Sequence, residues 1–579
     1  MLRAKLLLPK PNQVPVKLKE NMRVLLISEQ INSLSKRIHN ELQNKKVNSN
    51  LLETSDAGRM MSTVQDFQPD IIVCPFMKAR LPEALYTTPG RPCLIVHPGI
   101  AGDRGASSLD WAIRNKNPKW GVTVLEASPV FDKGDIWSTE DFNVPENSTK
   151  SSLYNGCVSD AAVRCVVDSL SRFSQSIPAS SYDDVEMSGT FNRNMKHADR
   201  RIDWNSNADD ICAQVRMSDT RPGAIGQLSI SEFDNECRMF DANVETGEHS
   251  AYISTLMKKA KPSDIVAQRN KSMLIKTGDE QGVWIGHMKK MTKNAALKLP
   301  SIDFLTNILH SKSQSKIPIV NEPCKHDDLF VTKHGQVAHV YFDFYNGAMD
   351  RQQGKRLKET LSRVNDMKDV KVVVLMGGDR FFSTGINLCV IEGSRNKQVE
   401  AWANINAIND VIESFINMTN KTTVAVVRGN AGAGGVMMAA ACDIVLSHEG
   451  ALLTPSYKTM NLFGSEYWTY FLPRRVGHDI AKALIDSTDS LSADEAKSIG
   501  LVDNVLYCDK TDCIDEASTY VEQIITDGIA DNIIRRKRIE HDTYWRQLLH
   551  SHRVYELSHM KQNFRSSDFL TAMHNFVWH

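Results

Sequence analysis

The strongest constraint on this chain is a set of short, predominantly apolar runs set off by turn residues and helical stretches, gathered in two separate regions. Near the start they are Arg23–Ile27, Asp70–Cys74 and Cys93–Val96, and much later Ala338–Phe344, Val370–Leu375 and Thr422–Val427. Strands this uniformly apolar are buried on both faces, which is the situation of a parallel sheet covered by helices. Strands alternating with helices in two places predict two α/β domains. Between them, from about 190 to 310, the texture changes to short β-like pieces such as Gly282–Gly286, which suggests a small β-barrel. At ~150 residues per domain, a chain of 579 residues has room for such a multidomain α/β arrangement.

The boundaries follow from composition. Residues 1–21 carry Arg3, Lys5, Lys10, Lys17 and Lys19 against Glu20, and Pro9, Pro11 and Pro15 prevent an amphipathic helix, so a disordered basic extension is expected. The first domain is expected over 22–180, with Ser/Asp-rich residues 177–189 as linker, the β-barrel over 190–310, and a polar linker over 311–330. The last domain is expected over 331–579, with a long helix whose stripe is Trp402, Ile405, Ile408, Ile412 and Phe415, and with a capping box at Ser492–Glu495. Lys and Arg number 69 and Asp and Glu 69, so the chain has no basic field for nucleic acid. The 11 cysteines are scattered without a C-x-x-C pair, as in a cytoplasmic protein with reduced thiols and neither a zinc ribbon nor another metal site. No apolar run is long enough to span a membrane.

Two constellations carry chemistry. In the first, the strand ending at Val96 runs into His97-Pro-Gly-Ile-Ala-Gly-Asp-Arg-Gly105, and Asp132-Lys-Gly134 follows the next strand. A histidine at the carboxyl end of a parallel strand sits where open α/β sheets bind ligands. With a nearby aspartate it makes a general acid/base pair. Taken alone, the two residues are equally compatible with a surface histidine and a turn aspartate. The wider pattern resembles the folate-dependent formyltransferases, in which a histidine after one strand and an Asp-x-Gly after the next are catalytic; His97 and Asp132 occupy those positions. The resemblance implies folate contacts at Met77 and Arg104, and Asp199–Trp204 resembles the start of the barrel of methionyl-tRNA formyltransferase. One position departs: two before His97 stands Ile95 where the family has Asn. Loss of one oxyanion donor costs ~10²–10³ in rate, so either another group supplies the donor or the acceptor is easier than an amine. A thiol of pKa roughly 8.5 is such an acceptor, being already partly thiolate near neutrality. The barrel region 181–310 holds 17 Lys and Arg against 18 Asp and Glu, which argues against a tRNA grip.

In the second constellation, Phe381-Phe-Ser-Thr-Gly-Ile-Asn-Leu388 and Gly429-Asn-Ala-Gly-Ala-Gly-Gly435 form two glycine turns. A dinucleotide loop would need a third glycine where Met437 stands; a tight helix–strand packing turn remains open, and two turns that each aim an N–H fit an oxyanion hole. The order of these turns resembles the crotonase (enoyl-CoA hydratase/isomerase) superfamily, through Leu472–Gly477 and Leu491–Asp503. By position, the resemblance implies oxyanion N–H groups at Ile386 and Gly434 and coenzyme A contacts at Asn346, Ala348 and Gly385. The hydratase glutamates are replaced by Met437 and Tyr457, so ordinary hydration is not expected; Tyr457 and Glu466 are the candidates for proton transfer, with Tyr467 and Tyr470 nearby.

Both halves on one chain, with Phe344-Tyr-Asn-Gly-Ala-Met349 and Gly464-Ser-Glu-Tyr-Trp-Thr-Tyr470, resemble the HypX/HoxX family of [NiFe]-hydrogenase maturation factors. That resemblance implies two substrates, 10-formyltetrahydrofolate and coenzyme A. The formyl group passes to coenzyme A, and formyl-CoA then splits to carbon monoxide and free coenzyme A. It also implies a carbon monoxide acceptor, such as a hydrogenase under maturation, as partner. A formyl-CoA hydrolase and a non-catalytic folate- or CoA-binding sensor are the alternatives.

Overall fold

The computed structural model describes residues 9–13, 15–228, 236–245, 251–292, 296–309, 317–320 and 327–578. They fall into two compact units, residues up to 202 together with 213–224, and residues 203–212 together with 225 onward.

The first unit is built on a six-stranded sheet in the order β2-β1-β3-β4-β5-β6. Its strands are β1 (Arg23–Ser28), β2 (Asn48–Glu53), β3 (Ile71–Phe76), β4 (Cys93–His97), β5 (Lys119–Glu126) and β6 (Ile136–Asn143). The first four are parallel; β5 and β6 turn back antiparallel. Helix α1 (Ser33–Asn44) starts on Asn32, whose side chain accepts the Ser35 N–H, and α2 (Ala57–Phe67) starts in the same way on Asp56. Helices α3 (Ser108–Arg114) and α4 (Ser159–Ser174) complete the frame. Val24 to Ile27 are fully buried because helices cover both faces, as their unbroken apolar run requires.

One expectation about a connecting segment fails, and a second segment is held at its end. The basic extension is no free arm where it is described: Thr139 donates its N–H to Pro9 O, and the Lys17 and Lys19 N–H groups donate to the hydroxyls of Ser171 and Ser174 on α4. The prolines that forbid a helix leave an extended strip suited to such docking. Residues 1–8 and 14 lie outside the described residues. Nor is the end of the linker over 177–189 free, since Ser188 and Gly189 both donate to Ala101 O and Arg104 donates to Thr190 O.

In the second unit the barrel region forms an antiparallel sheet around the long strand Gly282–Lys290. That strand pairs on one edge with Cys237–Val244, and on the other with Ser272–Lys276 and Lys298–Pro300. The polar linker expected over 311–330 mostly falls on residues outside the described ones, but Ile317–Val320 follows the edge of Ile265–Arg269, with bonds from Gln268 N to Pro318 O and from Val320 N to Gln268 O.

The crotonase-like part has a six-stranded sheet running Leu329–His334, Val337–Phe342, Val372–Gly377, Thr422–Val427, Ile444–His448 and Asn504–Leu506, parallel after its first pair. Beside it lies a smaller layer, Phe381–Ser383, Asn430–Gly432, Leu452–Thr454 and Leu491–Ser492, which carries both glycine turns. Helix Arg351–Asp366 opens on a capping box between Asp350 and Gln353, and the expected Ser492–Glu495 box is present. In helix Lys397–Ile416 the stripe Ile405, Ile408, Ile412 and Phe415 is buried. Trp402 is not; it lies at the surface with the Lys561 ammonium 5.8 Å over its ring. No helix of the described residues is long and apolar enough to cross a membrane.

Candidate functional site

His97 closes β4 and is 5% exposed. Its Nε2 lies 2.9 Å from Asp103 Oδ2, and its Nδ1 lies 3.5 Å from Asp132 Oδ1. The ring therefore stands between two carboxylates, of which the sequence reading found one. Asp103, 2% exposed, is held from its other oxygen by the Asn192 side-chain amide at 3.2 Å. Asp132 sits in a left-handed turn (φ 55°) and accepts the Gly105 N–H at 3.1 Å. Gly99 makes the approach possible: a Cβ there would lie 2.4 Å from Asp103 Oδ2 and 2.5 Å from His97 Nε2.

Around this core, Arg104 lies with its guanidinium 5.7 Å from the exposed Phe191 ring, and its buried Nε has no acceptor among the described residues. A buried donor left open is where a ligand oxygen would be welcome. Met77, just past β3, packs with Ile95 and Ala127 in one apolar cluster. Ile95 therefore replaces a polar donor by a packed apolar side chain.

In the second unit the two glycine turns meet: the position a Cβ would take on Gly385 lies 3.6 Å from Gly434 N. Gly385 and Ile386 form a short parallel ladder with Ala348 and Met349, which brings the expected coenzyme A contacts to the hole. Asn346, left-handed and exposed, accepts a bond of 2.6 Å from Arg380 Nη2. The Gly434 N–H opens helix Gly434–Ala440 and has no acceptor among the described residues. Such an N–H is available to a carbonyl oxygen.

Tyr457 and Glu466 come together beside this hole. The Tyr457 hydroxyl donates to Glu466 Oε2 at 2.8 Å, and the Ser465 N–H donates to the same oxygen at 3.1 Å. Glu466 is 1% exposed, and its Oε1 would lie 2.1 Å from a Cβ on Gly434. Burial pushes its carboxyl up to about 7, against the Tyr457 and Ser465 bonds that pull it down. The Tyr457 hydroxyl is raised well above its ordinary value by burial and by the adjacent Glu466. Met437 is buried in the apolar core, and the Tyr470 hydroxyl accepts from Trp545 Nε1 at 2.9 Å; Tyr467 is buried, with Arg553 facing its ring hydroxyl. Among the described residues no group of three or more His, Cys, Asp or Glu side chains is placed to hold a metal ion.

Asp103 and Glu556 escaped sequence reasoning. Asp103 lies inside the Gly102–Gly105 string, and only the turn at Gly99 brings its carboxyl back to His97. Glu556, whose carboxyl backs the Glu466 turn, comes from the distant helix Thr543–Asn563, and nothing in its own neighbourhood marks it.

Fold and geometry thus define a fusion of a folate-type formyltransferase with a crotonase. Three family models agree: formyl transferase over residues 19–169, formyl transferase C-terminal domain over 194–298, and enoyl-CoA hydratase/isomerase over 334–578. The chain belongs to the HypX/HoxX family of hydrogenase maturation factors. It is 32% identical to hydrogenase maturation factor HoxX of Bradyrhizobium diazoefficiens across 96% of this chain and 94% of that one. Among solved structures it matches a variant of HypX from Aquifex aeolicus with a TM-score of 0.87 and 32% identity, covering 97% of this chain and 100% of the other. It matches HypX from the same organism in complex with tetrahydrofolic acid with a TM-score of 0.87 and 32% identity, over 96% of each chain.

Proposed function

We propose that this protein transfers the formyl group of 10-formyltetrahydrofolate to coenzyme A and splits the resulting formyl-CoA into carbon monoxide and coenzyme A. The observation that carries the second step is the Tyr457–Glu466 pair set against the Gly434 turn. The tetrahydrofolic acid bound by the Aquifex HypX supports the first.

In the formyltransferase site the coenzyme A sulfur attacks the formyl carbon. The C–N bond breaks, and the thiol proton travels to the folate nitrogen. His97 is the group placed to carry it, oriented by Asp103 at Nε2, with the more open Nδ1 side facing Asp132. Arg104, with its open Nε, and Met77 border the folate.

In the crotonase site the thioester carbonyl takes the N–H groups of Ile386 and Gly434, and coenzyme A runs along Asn346, Ala348 and Gly385. A formyl thioester has no α-carbon, so the hole serves no enolate. Glu466 takes the formyl proton; the C–H electron pair stays on carbon and the C–S pair leaves on sulfur. Carbon monoxide departs and the proton returns to the thiolate. Tyr457 holds Glu466 and steadies its negative charge. The carbon monoxide acceptor is a hydrogenase under maturation, and the reaction takes place in the cytoplasm.

The test is a sealed vial containing the protein, 10-formyltetrahydrofolate and coenzyme A, with deoxyhaemoglobin as gas trap. Carbon monoxide equal to the folate consumed supports the reading. Formate in place of gas makes the protein a hydrolase, and tight binding with neither product makes it a sensor.

A further inference from the structure

We propose that Glu556 is the positioning residue of Glu466 and that the two buried carboxyls share a single proton, with Thr469 and His552 as its way out to solvent. This rests on the reading of Glu466 given above. It adds a residue from the C-terminal helix, some ninety positions away, to the proton chemistry of that site.

Glu466 and Tyr467 are consecutive left-handed residues (φ 65° and 60°). Side chains that are not glycine hold such angles only where the surroundings over-determine them. Here Glu556, 0% exposed, supplies the determination. Its Oε2 accepts the Tyr467 N–H at 2.9 Å and the Ser465 hydroxyl at 3.4 Å; its Oε1 accepts the Thr469 N–H at 2.8 Å and hydroxyl at 2.6 Å. Asn409 fixes the other side, accepting the Glu466 N–H at 2.9 Å. The turn so held is what points the Glu466 carboxyl at Gly434.

No cation touches either carboxyl among the described residues. Arg553, the next residue but two along the helix from Glu556, pairs instead with Asp410 at 2.6 Å and Glu413 at 2.5 Å. The remaining titratable groups facing the pair are Tyr457, Tyr467 and His552. Two like charges buried without a counter-ion cannot both persist. Accordingly burial pushes Glu556 up to about 8, the Glu466 charge adding to the rise and the Thr469 and Tyr467 bonds opposing it. Burial likewise raises Glu466, to about 7, so the pair holds one proton at a pH where a free carboxyl would have lost it. The Thr469 hydroxyl, bonded to Glu556, also lies 2.8 Å from Nδ1 of the half-buried His552, so the chain of donors ends near the surface.

Infrared titration of the intact protein between pH 5 and 9 reads the buried carboxylic acid band directly. The wild type is expected to lose it in two steps that belong to the pair. Glu466→Gln and Glu556→Gln should each leave one step, and in Glu466→Gln that step should fall below the upper step of the wild type. Thr469→Val, which keeps the volume and serves where Glu556→Gln does not fold, removes a bond favouring the charged form and should move the upper step to higher pH. In gas release from formyl-CoA, Glu556→Gln should lower kcat at least tenfold, leave KM within twofold and erase the alkaline limb of the pH profile. An unchanged band titration in Thr469→Val or Glu556→Gln, or a wild-type pH profile in Glu556→Gln, overturns the proposal. A two-step titration in a wild type that releases no gas upholds the carboxyl pair and sinks the function proposed above.

Discussion

Gly434→Ala tests the crotonase site with one methyl group. A Cβ at this position would lie 2.1 Å from Glu466 Oε1, 2.5 Å from its carboxyl carbon and 3.1 Å from Cγ, whereas ordinary contact begins near 3.4 Å. The carboxyl oxygen must therefore retreat by roughly 1.3 Å, and a misplacement of about 1 Å in a reacting group costs on the order of 10²-fold. It cannot retreat freely, because the Tyr457 hydroxyl and the Ser465 N–H both grip its other oxygen. The substitution keeps the Gly434 N–H, and the backbone there is outside the left-handed region, so the oxyanion hole and the helix start survive. The crowding can cost the fold about 1–3 kcal/mol, so circular dichroism and retained formyl transfer separate a misplaced carboxyl from unfolding. A fall of 10² in kcat corresponds to ~2.7 kcal/mol of transition-state stabilisation. The assay is carbon monoxide release from formyl-CoA alone, trapped by deoxyhaemoglobin, with formyl transfer from folate as internal control. A variant whose kcat stays within threefold of wild type would refute the placement of Glu466 at the reacting carbon.

Other outcomes follow from the same geometry. Asp103→Asn removes the carboxylate at His97 Nε2 and should cut formyl-CoA formation by roughly 10²–10⁴ while gas release from supplied formyl-CoA is untouched; an Asp103→Asn enzyme with normal transfer would reduce Asp103 to a packing role. His97→Ala and Asp132→Asn should abolish transfer with the fold retained, as circular dichroism and transfer kinetics together will show. Tyr457→Phe deletes a bond that lowers the Glu466 carboxyl, so the acidic limb of the gas-release profile should move to higher pH; a shift the other way is incompatible with the assigned roles. Glu466 and Glu556 are raised by burial, so the folded state holds their protons longer than the unfolded chain. Their contribution to stability is full below the unfolded value of about 4.3 and is lost as pH rises towards 7 and 8. Urea midpoints measured at pH 5 and 8.5 should therefore differ more in wild type than in Glu556→Gln.

The strands were legible wherever a run of residues is buried on both faces. Val424–Val427 and Val24–Ile27 show this, since their apolar sequence and full burial are the same fact. His97 and Asp132 were legible because each closes or follows such a strand. Asp103 was not, because its carboxyl reaches His97 only through the tight Gly99 turn, a three-dimensional approach with no periodic signature. The extension before Met22 was misread for a related reason: composition reports that a segment cannot form a helix, and says nothing of hydroxyls waiting on α4 to bind its backbone. Helical spacing puts Trp402 in the apolar stripe, although a spacing cannot tell the buried part of a stripe from its exposed margin.

Under the proposed function, the two glycine turns of the crotonase site serve chemistry other than hydration. A hydratase must keep a water between two carboxylates; at the corresponding positions this chain has Met437, buried in apolar core, and Tyr457, whose hydroxyl is committed to Glu466. Neither of these two positions therefore offers the free carboxylate that would hold a water for attack on the thioester carbonyl. What the proposed function uses instead is Glu466, a carboxyl raised by burial and set against the Gly434 turn. A formyl C–H is a poor acid, and it yields its proton only to a base that water does not weaken and while a thiolate leaves from the same carbon. Burying Glu466 away from cations raises its basicity, and the hydrogen bonds from Tyr457 and the Ser465 N–H bound the cost of its charge. On the proposed function, the burial of Glu466, which would be an expensive defect in a core, is the property that would favour carbon monoxide over formate.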